Sequence, residues 1–163
     1  MKTALTLLMV LVLALGGYLG VAHFSGGAFP TLGLPLGGEL GQLRSISESF
    51  MEDLQYKDFK HAASYHQPDV QDTVDIPFLL KRVFVVKPEA LEIMEYEVVM
   101  ADLDSTGDRG RVKLRVKAND LIREQILTRE LMLYFKRDGR AAPWYMELED
   151  SLRKDKAEKD KKH

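Results

Sequence analysis

The chain opens on an uncharged apolar run, Ala4–Ala22, reading ALTLLMVLVLALGGYLGVA and bracketed by Lys2 and His23. As a helix rising 1.5 Å per residue, the run is roughly 28 Å long, close to the hydrocarbon thickness of a bilayer. A lipid-facing helix satisfies its own backbone, and this one offers no polar side chain beyond Thr6 and Tyr18. A secretory signal peptide is the rival reading. It needs a basic start, a shorter apolar core and a small-x-small cleavage site, and Gly20-Val21-Ala22 and Gly26-Gly27-Ala28 both have that form. The run exceeds a usual signal core, which favours a retained anchor.

Orientation follows from the cations. Lys2 precedes the run and the next Lys or Arg is Arg44. The positive-inside bias then puts the N-terminus in the cytoplasm and the rest of the chain outside, giving a single-pass inner-membrane protein with a periplasmic domain. Anchor and cleaved signal agree on that compartment. The sequence has no cysteine, so disulfides, thiol chemistry and lipoprotein acylation are excluded. Gly16 and Gly20 form a GxxxG pair. Such spacing lets two membrane helices approach closely, and it also recurs by chance because glycine is common in membrane helices.

Beyond the run, composition marks one domain's worth of chain, long enough for a core without staples. Glu39 to Leu152 holds 16 Lys and Arg against 22 Asp and Glu, whereas Arg153 to His163 holds 6 against 3. A net acidic domain argues against nucleic acid as a partner. The expected divisions are an anchor or signal at 1–24, a Gly/Pro-rich apolar tether at 25–41, an α+β domain at 42–150 and a charged tail at 151–163. The tether carries Phe29, Leu32, Leu34 and Leu36. It reads either as a segment against a membrane or protein surface or as an extended linker. Its glycines and prolines argue against a regular helix.

Ser45-x-x-Glu48 has the form of a capping box and predicts a helix start, with Ile46, Phe50 and Leu54 on one face. The phase resets after Lys57-Asp58, predicting a bend and a second short helix through Phe59, Ala62, Ala63 and His66, ended by Pro68. A third helix is expected over Ile76–Phe84, with Pro77 in its first turn. From Ala90 the period becomes two. Arg111-Val112-Lys113-Leu114-Arg115-Val116-Lys117 alternates basic and apolar residues, as a strand with one buried face does. Ser105–Gly110 reads as the hairpin turn before it, and folding back sets Val98 and Met100 opposite Val116 and Leu114, with Glu97 near Lys117. Further strands are expected over Glu124–Lys136 and Trp144–Leu148.

Three helices followed by a four-stranded antiparallel meander is an α+β layout. The segments SESFMEDLQYKDFKHAASYHQP and IPFLLKRVF, then strands ending in WYMEL, resemble the nuclear-transport-factor-2-like superfamily, also called SnoaL-like or ketosteroid-isomerase-like. Lys57-Asp58-Phe59 and His61-Ala62-Ala63 fit the break between its first two helices. The resemblance spans about Leu43 to Glu149 and implies a cone-shaped domain in which a curved sheet wraps a helix. Its members include enzymes, ligand binders and scaffolds, so function does not transfer with the fold.

If the cone is open, Tyr65, His66, Tyr96, Met100 and Trp144 are its expected lining. No catalytic motif of the superfamily maps onto this chain. His61 and His66 are five apart and do not share a helix face, so they make no i, i+4 metal pair. His66 reads as structural. Asp69, Asp72 and Asp75 lack the spacing and glycine of a calcium loop and read as caps and turns. The Arg111, Lys113, Arg115 and Lys117 stripe could grip an acidic partner or lipid head groups, but a solvated face paired with Glu95 and Glu97 is the favoured reading. No metal or cofactor is expected. The functional expectation is a non-catalytic, membrane-anchored accessory or scaffold subunit whose partners are the membrane and other membrane proteins, or a second copy. The alternatives are a small-molecule binder or isomerase-like enzyme using the cone, and a secreted soluble domain.

Overall fold

The computed structural model describes residues 2–25 and 37–147. Most of the tether, residue Leu148 of the expected last strand and the charged tail lie outside the described residues. The chain divides into two compact units, Met1–Arg44 and Ser45–His163.

In the first unit, α1 spans Lys2–Phe24 and α2 starts at Gly38. The Ser25 hydroxyl donates to the Ala22 carbonyl at 3.0 Å, closing the last turn of α1. The Gly37 N–H reaches His23 Nδ1 at 3.3 Å, so the two ends of the intervening segment meet. The helix start expected at Ser45 is incorrect, because α2 runs Gly38–Tyr56 and takes in the last residues assigned to the tether. Gly41 weakens a helix by only about 1 kcal/mol against alanine, and Leu40, Gln42 and Leu43 are good helix formers. The Ser45–Glu48 pattern therefore lies inside the helix and caps nothing.

In the second unit, the buried stripe of α2 comprises Ser47, Phe50, Met51 and Leu54, and Ile46 is only half-buried. The expected bend falls at Lys57, whose φ of 61° lies in the left-handed region. α3, Phe59–Ala63, is a single short turn ending well before Pro68. Asp58 caps it by accepting the His61 N–H at 3.0 Å. α4 occupies Ile76–Phe84 as its local signals predict. The Asp75 carboxylate accepts the Phe78 N–H at 2.9 Å, and Pro77 sits in the first turn where its missing N–H costs nothing. α4 buries Ile76, Leu80 and Phe84.

The strands β1 (Leu91–Leu103), β2 (Arg109–Asp120), β3 (Gln125–Lys136) and β4 (Tyr145–Met146) form an open antiparallel sheet in sequence order. The inward residues of β2, Val112, Leu114, Val116 and Ala118, are fully buried. The expected β1–β2 register needs correction. Tyr96 faces Val116, Val98 faces Leu114, Glu97 faces Arg115 and Glu95 faces Lys117, with irregularities between Ile93 and Glu95 and between Val98 and Met100. Each inserts an extra residue, and a bulge restores the in–out alternation after it while bending the strand. All three turns between the strands are held by buried side chains. Asp120, almost wholly buried, accepts the N–H groups of Ile122 and Arg123 at 3.0 and 3.2 Å. Buried Arg137 donates to the Gly107 carbonyl at 2.6 Å and lies 4.4 Å above the Trp144 ring, joining the β1–β2 turn to the β3–β4 turn.

Val85 closes α4 in the left-handed region, at φ 60°, with its N–H donating to the Lys81 carbonyl at 2.9 Å. A β-branched residue is strained there, and glycine is the usual occupant. Val85→Gly should therefore raise the stability of the full chain by about 1 kcal/mol, read as a higher urea midpoint in detergent. Asp75→Ala removes the cap of the same helix and should lower it by about 1 kcal/mol. A neutral result for both would mean that α4 adds little to the cooperative unit.

Candidate functional site

The residues expected to line a cone go to different partners. Tyr65, just beyond α3, packs edge-on against Phe50 at 6.0 Å and His61 at 5.5 Å between ring centres. Burial, the charge of Asp53 and a hydrogen bond to it push the Tyr65 hydroxyl up to about 12, and Ser49 also bonds that hydroxyl. Tyr96 lies on the inward side of β1 opposite Val116. Its pKa is raised by burial first, then by the charges of Glu52 and Glu48 on α2. Trp144 is buried under the Arg137 guanidinium. Met100 does not belong with this group, because it stands opposite Lys113 on the outward face, a consequence of the second bulge.

His66 is buried, and its Nδ1 donates to the Ala63 carbonyl at 3.1 Å, which assigns the proton to Nδ1. Its Nε2 has no hydrogen-bond partner. Burial pulls the imidazole pKa below the ordinary histidine value. This environment suits a neutral core histidine.

One cluster escaped the sequence reading. Asp53 Oδ2 lies 2.7 Å from His61 Nδ1, and the Asp53 carboxylate also accepts from the Tyr65 hydroxyl. Asp53 and His61 are eight residues apart on two helices, and only the bend at Lys57–Asp58 brings them together. No periodicity signals that pairing. A carboxylate on Nδ1 fixes the tautomer and leaves Nε2 to accept a proton, a geometry shared with hydrolytic triads. Here the His61 side chain is mostly in water, and the cluster staples α3 to α2. Two depressions open to solvent lie elsewhere in this unit. One, of about 360 Å³, is lined by Phe59, Lys60, Ser64, Asp72, Val74 and Pro77 among others, and one, of about 330 Å³, by Asp102, Asp104, Arg109, Arg111 and Tyr134 among others. Neither includes Tyr65, His66, Tyr96 or Trp144. Among the described residues, no three His, Cys, Asp or Glu side chains are grouped to hold a metal ion.

The basic stripe is compensated within the sheet. Arg111 makes a two-pronged pair with Asp102 at 2.6 and 2.7 Å, Lys113 meets Glu130 at 2.6 Å, and Arg115 pairs with Glu97 and with Glu130 at 3.6 Å. Lys113, and then Arg115, hold the Glu130 carboxyl below its usual range, and Asp102 raises the Arg111 guanidinium. Lys117 stands opposite Glu95 on one side and Thr128 on the other. Two of the acidic partners, Asp102 and Glu130, come from outside the pair expected from sequence. A face with its charges already matched has little field left for an acidic ligand.

Comparison with protein-family models, with curated proteins and with solved structures finds no match to the chain.

The depressed His66 pKa carries a sign. Neutral His66 favours the fold above the unfolded histidine pKa of about 6.5, and that stability is lost as pH falls toward the folded value. Thermal melts of the full chain in detergent should drop between pH 7.5 and 5, and His66→Gln should flatten that drop. An unchanged slope in the variant would assign the acid sensitivity to other groups.

Proposed function

We propose that the chain is a single-pass, membrane-anchored accessory or scaffold subunit of an envelope membrane-protein complex, with its α+β unit outside the cytoplasm and used for protein binding. The observation that carries this reading is α1. Its window Thr6–Phe24 is long and apolar enough to cross a membrane, and only 6% of it is buried. A soluble core helix hides such side chains, whereas Leu7, Met9, Leu11 and Leu13 are all largely exposed. Water penalises that exposure at about 25 cal/mol per Å², and a bilayer removes the penalty. A secretory leader near the N-terminus passes the same test, and the length of the run supports retention over cleavage. The cation bias supports a cytoplasmic N-terminus at the inner membrane.

A Cβ built on Gly16 or Gly20 meets no atom within 4 Å, so this strip of α1 is open to a second membrane helix. Helices preceding a four-stranded meander support a place in the nuclear-transport-factor-2-like superfamily, and the bulges in β1 support a bent, cone-like sheet.

Purification of the full chain from its native membrane in mild detergent, with intact-mass analysis of what co-elutes, tests this. The expected result is a stoichiometric partner and a chain that keeps Met1–Ala22. A lone chain cut near Ala22 or Ala28 overturns it in favour of a soluble domain. Gly16→Leu with Gly20→Leu should weaken the assembly, about tenfold if the helix contact is closely packed. Undiminished assembly places the contact elsewhere.

A further inference from the structure

The outward face of α4 combines features that folding does not require. Ile76, Leu80 and Phe84 point into the core, Phe78, Lys81 and Arg82 lie at i, i+3 and i+4 on the other side, and Val85 caps the C-terminal end of the helix. Phe78 is 57% and Val85 69% exposed. Lys81 and Arg82 are exposed and form no ion pair among the described residues. From Ile76 to Pro88 the chain has three basic residues, Lys81, Arg82 and Lys87, and no acidic one. This positive island sits in a domain that is net acidic. Unlike the β2 stripe, its charge is not spent on neighbouring carboxylates. Val85 adds a second anomaly, since a strained backbone position where glycine would relax the chain holds an aliphatic side chain in water.

We propose that this face of α4 rests on the anionic head groups of the lipid bilayer. Phe78 and Val85 enter the interface, and Lys81 and Arg82, with Lys87 just beyond, lie against lipid phosphates. Aromatic and aliphatic side chains flanking cations suit an interfacial helix, whose affinity adds apolar burial to attraction by anionic lipid. Each cation near such a surface strengthens partition by about fivefold. An uncharged apolar patch would suit a neutral protein groove equally well. The free cations select a negatively charged surface, and a chain with its own membrane-length helix is kept beside one. The proposal rests on the anchorage argued above.

The chain has no cysteine, so Val85→Cys introduces one thiol for a fluorescent probe, and Ser105→Cys, exposed in the β1–β2 turn, serves as the control. The labelled full chains are reconstituted into nanodiscs of phosphatidylcholine with or without phosphatidylglycerol, each containing lipids with a nitroxide near the head group. The Val85 probe should be quenched at least about twofold more than the Ser105 probe in the anionic discs. Lys81→Glu with Arg82→Glu should return it to the control level. Equal quenching at both positions overturns the proposal. Quenching indifferent to phosphatidylglycerol and to charge reversal also overturns it, as does a Val85 probe shielded from aqueous iodide but not reached by lipid nitroxide, which would mean that protein covers the face. Alkaline carbonate extraction reads the anchor separately. A chain that resists extraction with an unquenched Val85 probe rejects the α4 contact alone, whereas an extracted chain rejects the anchor.

Discussion

Burial of one side of β2 is the constraint around which the second unit is arranged. Val112, Leu114, Val116 and Ala118 leave water completely, and each larger one contributes about 1.5–3 kcal/mol of hydrophobic stabilisation. Because the side-chain period of a strand is two, a one-residue slip would send this set into solvent and bring Arg111, Lys113, Arg115 and Lys117 inward. The neighbouring strands must therefore match β2. β3 does so in unbroken register from Gln125 to Lys136, while β1 absorbs two extra residues in bulges to keep Tyr96, Val98 and Ala101 on the apolar side.

Three of the polar side chains that enter this core are held by backbone groups. Asp120 accepts backbone N–H groups at the β2–β3 turn, Arg137 spans two turns from beneath Trp144, and His66 ties its ring to the carbonyl of Ala63. A buried charge or dipole is tolerated when it is bonded or lies against a π-face, and it costs stability when it is not. The Nε2 of His66 and the indole N–H of Trp144 are buried without a hydrogen-bond partner, and at His66 the neutral imidazole favoured by burial is the form that loses least.

Charge on the surface separates two kinds of basic patch that look alike in one dimension. The four cations of β2 lie among Asp102, Glu97, Glu130 and Glu95, which come from both neighbouring strands. Lys81 and Arg82 on α4 stand between apolar residues with no carboxylate beside them in the helix. The first arrangement consumes its field within the sheet, and the second presents it outward. Together with the exposed aliphatic surface of α1, the α4 face gives an otherwise acidic molecule two surfaces compatible with lipid.

The sequence by itself determined the features that local chemistry controls. The length and apolarity of α1 depend only on its own residues. So do the limits of α4, through the Asp75 cap, Pro77 and the positions of Ile76, Leu80 and Phe84, and the in–out alternation of β2. The bend at Lys57–Asp58 was legible from a phase reset. Tertiary structure decided what depends on residues distant in the chain. The two bulges arise because β1 must stay in phase with a partner that has fewer residues over the same span, so the pairing of Glu97 with Arg115 and the outward turn of Met100 had no local signature. The true start of α2 was hidden because a capping pattern acts only where the preceding backbone leaves the helix. The Asp53–His61–Tyr65 cluster forms across a helix bend whose angle no spacing rule specifies. In each of these cases the deciding free energy lies in contacts between elements, and a linear pattern carries no record of which elements meet.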